Sequence, residues 1–220
     1  MTDGPSLLLA THNPGKMREL GALLTGVRVL GLRDVGIDDL DEPFDTFVDN
    51  AVAKAVAAST LTGLPALADD SGLCVDALGG APGVFSARFA GPHGDDAANR
   101  ALLLARLGGV AGPDRGAEFR CVLALADVAG PLGPAGVVLV SGRCRGAIVE
   151  APRGAGGFGY DPLFVPEGQG LTMAELSEAD KHARSHRGQA VGRMLPVVRG
   201  YMASRGNAWH PEAGAVYRGR

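Results

Sequence analysis

Thr11-His12-Asn13-Pro14-Gly15-Lys16 lie between a short apolar run and a stretch of helical periodicity. A loop feeding a helix N-terminus offers free backbone N–H groups and the positive end of the helix dipole, and both favour an anion. Lys16 adds a full charge, and small neighbours let a phosphate approach. The spelling is not that of a P-loop, because G-x-x-x-x-G-K-[ST] would need Gly at Ala10 and Ser or Thr at Met17. The ordinary alternative is a βα turn with a solvated lysine.

Asp69 and Asp70 follow a predicted buried strand. Paired carboxylates there suit Mg²⁺, a hard cation that takes oxygen ligands. One of them could also accept a proton from an attacking water. Neighbours in a strand point to opposite faces, so one of the two is expected to enter a given cleft. Asp41 and Glu42, in an acidic loop, could supply a second metal ligand; the plainer reading is a solvated acidic surface. Gly156-Gly157-Phe158-Gly159-Tyr160-Asp161-Pro162 places two rings among three glycines in a chain only 5% aromatic. Glycines allow close backbone approach and a ring can stack on a planar base. The alternative is a loop with two core anchors. Lys181, then Ser185-His186-Arg187, supplies donors for keto oxygens or phosphates near a helix start. His182 and His186 could share a helix face, but the zinc-protease spelling H-E-x-x-H would need Glu at Ala183.

These groups need elements to hold them. Ser6 to Ala10 reads as a buried strand, and Lys16 to Leu24 as a helix. Val27 to Leu30 reads as a second strand. Phe47, Ala51, Val52, Ala55 and Val56 mark a helix that Gly63 can end. Pro65 to Ala68 reads as a strand running into Asp69, with Leu73 to Val75 beyond it. Asp95 or Asp96 can cap a helix through Leu107. Glu118 to Asp127, Val137 to Val140 and Arg143 to Val149 look like an antiparallel meander. A short strand, Leu163 to Val165, follows. Helices are expected at Thr172 to Ala183 and after Ser185, with Pro196 kinking or shortening the last one. The order suggests an α/β fold with a mixed sheet.

Composition excludes several classes. The chain has 220 residues with Lys+Arg 21 against Asp+Glu 24, a net charge of −3, which speaks against a strongly basic nucleic-acid binder. Hydrophobic content of 46% and charged content of 20% exclude general disorder. At this length a chain buries roughly 70% of its unfolded surface and needs no staples. Its 3 cysteines are widely spaced without a C-x-x-C, which suits reduced thiols in the cytoplasm. Met1 to Ser6 lack the basic patch of a signal peptide, and no apolar run reaches the roughly 18 residues of a membrane span. Residues 1–204 are expected to form one two-lobed domain. Residues 205–220, Gly-rich and aperiodic, are expected to be a flexible tail.

LLLATHNPGKMREL, PALADDSGLCVDALGGAPGVFSARFAG, GGFGYDPLF and SHRGQA, in that order and spacing, resemble the inosine/xanthosine triphosphate pyrophosphatase family, the Ham1-like house-cleaning group. The match spans nearly the whole chain, and the motifs are long and jointly specific. The resemblance implies an elongated mixed β-sheet flanked by helices, two lobes and a central cleft, as in ITPase- and Maf-like folds. It implies hydrolysis of ITP, dITP and XTP to the monophosphate and pyrophosphate, with Mg²⁺, by a homodimer. Thr11, His12, Asn13, Pro14, Gly15 and Lys16 would hold the triphosphate. Asp70 would be proton acceptor and metal ligand, with Lys16 as its catalytic partner. Ser71 would lie beside the substrate. Phe158, Gly159, Tyr160, Asp161, Lys181, His186 and Arg187 match nucleoside-binding positions. Two departures stand out. His12 replaces the Gly of many members. The acidic-loop metal ligand, usually Glu, aligns with Asp41, and Glu42 is beside it, so both remain candidates. The rival readings are a Maf-type pyrophosphatase with other base preferences and a nucleotide-binding module without hydrolysis. The SHR segment and GGFGYDP loop favour the first family over Maf, and intact Lys16, Asp69 and Asp70 weigh against a non-hydrolysing module.

Overall fold

The computed structural model describes residues 6–91, 94–134, 136–204 and, as backbone only, 215–218. In chain order it contains β1 (Ser6–Leu9), α1 (Pro14–Leu23), β2 (Arg28–Gly31), α2 (Phe47–Thr62), β3 (Ala66–Val75) and α3 (Asp96–Arg106). It continues with β4 (Gly116–Ala126), β5 (Gly136–Ile148), β6 (Phe164–Pro166), α4 (Glu178–Arg184), α5 (His186–Ala203) and β7 (Ala215–Arg218). The strand order is β2-β1-β3-β4-β5-β6, with β7 also on β5. β1 runs parallel to β2 and β3, whereas β5 runs antiparallel to β6 and β7. The sheet is therefore mixed, as the alternation of elements suggested.

Two compact units divide the chain. The first holds Met1–Asp70, Val122–Ser141 and Ala190–Arg220; the second holds Ser71–Cys121 and Gly142–Gln189. In the first, Leu7, Leu8 and Leu9 are all fully buried. β1 is covered on both faces, which is how strands in parallel pairs are usually placed. Ala51, Ala55 and Ala58 of α2 pack with Leu8, Ala66, Ala68, Ala124 and Ala126. Small side chains let helix and strands approach closely. Thr46 caps α2 by accepting the Asp49 N–H, and Gly63 ends it at φ 67°, a left-handed turn that glycine adopts without cost. The second unit builds its own core from Leu73, Leu103, Leu107, Phe119, Tyr160, Leu163, Phe164 and Met173.

Several elements differ from their sequence expectation. The Asp69–Asp70 pair is not at a strand end; β3 runs through it without a break. Ala68 and Gly72 are buried and Ser71 is half-buried; Lys16 of α1 pairs with Asp69, and Asn50 of α2 hydrogen-bonds Asp70, as described below. β5 is a single strand of 13 residues rather than two, because Gly142, buried in its middle, does not turn the chain. The helix expected from Thr172 begins only at Glu178, capped by Ser177. The stretch before it forms a turn in which Thr172 donates both to the Glu175 carboxylate and to the Arg153 carbonyl. Pro196 does not end α5, which runs on to Ala203. Both Pro196 and Gly192, whose carbonyl loses its helical partner, are exposed, so water can take that bond. Within the stretch expected to be a tail, four residues are described as a strand. Ala215–Arg218 pairs antiparallel with Gly136–Leu139. Edge pairing uses backbone groups alone, so a strand of four residues leaves no periodic trace; the rest of 205–220 lies outside the described residues.

Candidate active site

In the first unit the β1–α1 turn is closed by Asn13. Its Oδ1 accepts the N–H groups of Gly15 and Lys16, at 2.9 and 3.1 Å, and its own N–H donates to Thr11 Oγ1 at 3.3 Å. Pro14 has no N–H. The first donors of α1 are thus occupied from within, where sequence reasoning expected them free. An anion arriving here meets side chains first. His12 Nε2 is a buried atom with no hydrogen-bond partner among the described residues. Lys16 Nζ lies 3.0 Å from Asp69 Oδ2, and that aspartate is fully buried.

Asp70, 3% exposed, is held from the other side by α2. Asn50 Nδ2 donates to Asp70 Oδ2 at 3.0 Å and to the Phe44 carbonyl at 2.9 Å, while Asn50 Oδ1 accepts the Phe44 N–H at 2.9 Å. One buried amide therefore ties the acidic loop to the Asp70 carboxylate. One turn later, Lys54 Nζ reaches the Glu42 carboxylate and donates to the Asp69 carbonyl at 2.7 Å. Burial pushes the Asp70 carboxyl up to about 6; Lys16 and Lys54 oppose that, Glu42 adds to it, and the Asn50 hydrogen bond opposes it. The acidic-loop ambiguity narrows here. Glu42 faces Lys54 and acts on Asp70, whereas Asp41 is exposed.

The second unit gathers the other set. Ser71 Oγ accepts from Arg187 Nη2 at 3.0 Å. The Arg187 guanidinium lies 5.3 Å, and the Lys181 ammonium 5.4 Å, from the centre of the half-buried Phe158 ring. Lys181 Nζ also donates to Asp161 Oδ2 at 2.7 Å, and the same oxygen accepts the Phe158 N–H at 2.9 Å. Gly157 makes this possible. At φ +72° a Cβ would stand 2.0 Å from Asp161 Oδ2. His186 stacks flat on Phe119, centroids 4.7 Å apart and planes 9° apart. Tyr160 takes the anchor role that was its alternative: it is buried in the core and its hydroxyl donates to the Ser86 carbonyl at 3.0 Å. Ser185 Oγ accepts the Gly188 N–H at 2.9 Å and so starts α5 directly at His186 and Arg187. A Cβ on Gly188 would lie 1.8 Å from the His182 carbonyl oxygen, which keeps the α4–α5 corner tight.

Sequence reasoning missed Asn50 and Lys54 as functional groups. The signal was present: both fall on the Ala51–Ala55–Ala58 stripe, and polar residues four apart on an apolar helix face need buried partners. Phe119, Asp96 and Arg100 were missed too, because only the fold brings them to the residues they touch.

A mixed sheet with helices, carrying lysines paired with carboxylates in both units, defines an α/β protein. The chain belongs to the Ham1 family, whose sequence profile matches residues 7–197. A Streptomyces coelicolor protein named dITP/XTP pyrophosphatase is 51% identical over 201 residues, covering 88% of this chain and 96% of its own. A Yersinia pseudotuberculosis protein of the same name is 48% identical over 195 residues, 88% of this chain and 98% of its own. The structure of a HAM1 protein from Coxiella burnetii superposes with a TM-score of 0.79 at 41% identity, covering 89% of this chain and 98% of that one. The family and the α/β fold expected from the motifs are both borne out.

Proposed function

We propose that this chain hydrolyses deaminated purine nucleoside triphosphates, ITP, dITP and XTP, to the monophosphate and pyrophosphate. What carries the reading is its near-complete, roughly half-identical match to proteins named dITP/XTP pyrophosphatase. The Lys16–Asp69 and Asn50–Asp70 arrangement supports it. Lys16 receives the phosphate chain, with the His12 imidazole beside it in the loop. Asp70 takes a proton from the water that attacks the α-phosphorus; the α–β anhydride bond breaks and pyrophosphate leaves. Lys16 and Lys54 favour the ionised Asp70 that this step requires.

Among the described residues no group of three or more His, Cys, Asp or Glu could hold a metal by itself. Asp70 and Glu42 nevertheless fit Mg²⁺. Both are oxygen donors, and their mutual repulsion is what a cation would relieve. Mg²⁺ is commonly held by one or two carboxylates together with substrate phosphates. When bound it supplies charge neutralisation on the phosphate oxygens.

Phe158 offers a ring for the base, and Lys181, His186 and Arg187 offer donors to a 6-keto oxygen. As in the family it resembles, the protein is read as a cytoplasmic homodimer, with residues 1–204 as its catalytic part. Light scattering at micromolar concentration checks the dimer; a monomer counts against it. The function is tested by a screen of nucleoside triphosphates with Mg²⁺. Monophosphate plus pyrophosphate from ITP and XTP is expected. Diphosphate plus orthophosphate, or no turnover, overturns the reading.

A further inference from the structure

The first turns of α3 carry three polar side chains at 96, 99 and 100, spaced to share one helix face. Each grips backbone elsewhere in the second unit. Asp96 Oδ2 accepts the Gly159 N–H at 2.7 Å, and Arg100 Nη1 donates to the Gly159 carbonyl at 2.7 Å. Both backbone groups of one loop residue are therefore held by one helix. Asn99 holds the segment ahead of α3 in the same way, donating to the Ala87 carbonyl at 3.0 Å and accepting the Ala90 N–H at 2.7 Å. That segment, in turn, accepts the Tyr160 hydroxyl at Ser86.

Gly159 is the residue after Phe158. The Phe158 N–H is fixed by Asp161, which lies within the same loop. The side chains of Asp96 and Arg100 fix the next residue from outside it. The ring beneath Arg187 and Lys181 thus depends on α3 for its backbone position. Asp96 is at the first turn of α3, where a carboxylate is favoured by the helix dipole. Its hydrogen bond and that of Arg100 are charge-assisted, the stronger kind.

We propose that Asp96 and Arg100 are positioning residues that set base selectivity by fixing Gly159 and, through it, the Phe158 ring. This rests on the reading of the Phe158 loop as the base-binding part. Asp96→Ala and Arg100→Ala should each raise KM for ITP by about tenfold with little change in kcat, and should lower the ITP:ATP ratio of kcat/KM. Asp96→Asn, whose side chain can still accept the Gly159 N–H, and Arg100→Lys should restore part of the loss. Binding of tripolyphosphate, a ligand with no base, should be unchanged. Hydrogen exchange at the Gly159 amide should speed up in Asp96→Ala, with the thermal midpoint confirming that the variant is folded. An unchanged ITP:ATP ratio, or an equal loss of tripolyphosphate binding, overturns the proposal. If the wild type releases pyrophosphate from neither nucleotide, the proposed function falls by itself. Gly159 exchange then decides the clamp: unchanged exchange in Asp96→Ala refutes it.

Discussion

Asp70 is a carboxylate kept where burial works against its charge. Its carboxyl rises from 3.8 to about 6 on folding, chiefly through burial. The sign follows directly. The folded chain holds the proton more tightly than the unfolded one, so stability falls as pH rises from about 4 to about 6, and the full cost remains above that. The cost is about 3 kcal/mol at neutral pH. Asp70→Asn should therefore raise the unfolding free energy of the metal-free protein at pH 7.5, and the gain should vanish near pH 4. The same variant should lower kcat by roughly 10²–10⁴ if Asp70 is the general base. Denaturant midpoints across pH and steady-state rates check the two halves; a variant less stable at pH 7.5 would refute the account of burial. Arg187 belongs to the other set. Its guanidinium bonds Ser71 and covers Phe158. A site that pairs polar groups rejects an analogue that leaves them unpaired. Arg187→Ala should thus cut kcat/KM for ITP far more than for ATP, and an equal fall would make it a phosphate or structural residue.

At the scale of elements, helix ends do most of the positioning. α1 brings Lys16 to Asp69 through its Asn13 cap, and α2 presents Asn50 and Lys54 one turn apart. Ser185 begins α5 so that His186 and Arg187 fall in its first turn. α5 also carries an exposed proline inside the helix, Pro196. Pro196→Ala restores the missing N–H to Gly192. It should stabilise the protein by about 1–3 kcal/mol, since the helix-interior penalty outweighs the added freedom of the unfolded chain. Thermal melts measure this, with ITP turnover expected to be unchanged. A loss of stability would mean that the proline ring packs against something its exposure does not show.

At the scale of the molecule, β3, β4 and β5 each carry residues of both units, at boundaries that fall inside the strands. Asp70 closes a stretch of the first unit and Ser71 opens one of the second, so the two polar sets are consecutive in the chain. β7 adds an outer strand to β5 in the first unit. Truncation after Ser204 should leave ITP turnover near normal, because no candidate site residue lies beyond Arg187. It should modestly lower the thermal midpoint, since the edge of Gly136–Leu139 loses its partner. A large loss of turnover would give the C-terminal segment a catalytic part.

The sequence by itself determined the mixed α/β order and the carboxylate pair. It also yielded the Lys16 turn, the Gly-rich ring loop and the Ser185 cap. Each of these is written in local terms: period, cap residue, turn residue or motif spacing. It did not determine whether Asp41 or Glu42 turns toward Asp70, because adjacent residues in an irregular loop share every local signal. Packing of Lys54 on Glu42 decided that. Nor could it say that Tyr160 anchors while its neighbour Phe158 stays half-exposed; Ser86, distant in sequence, makes the difference. The raised Asp70 carboxyl, the flat stack of His186 on Phe119 and the α3 grip on Gly159 all join residues far apart in the chain. Burial and such contacts exist only once the chain has folded, which is why the tertiary structure alone decided them.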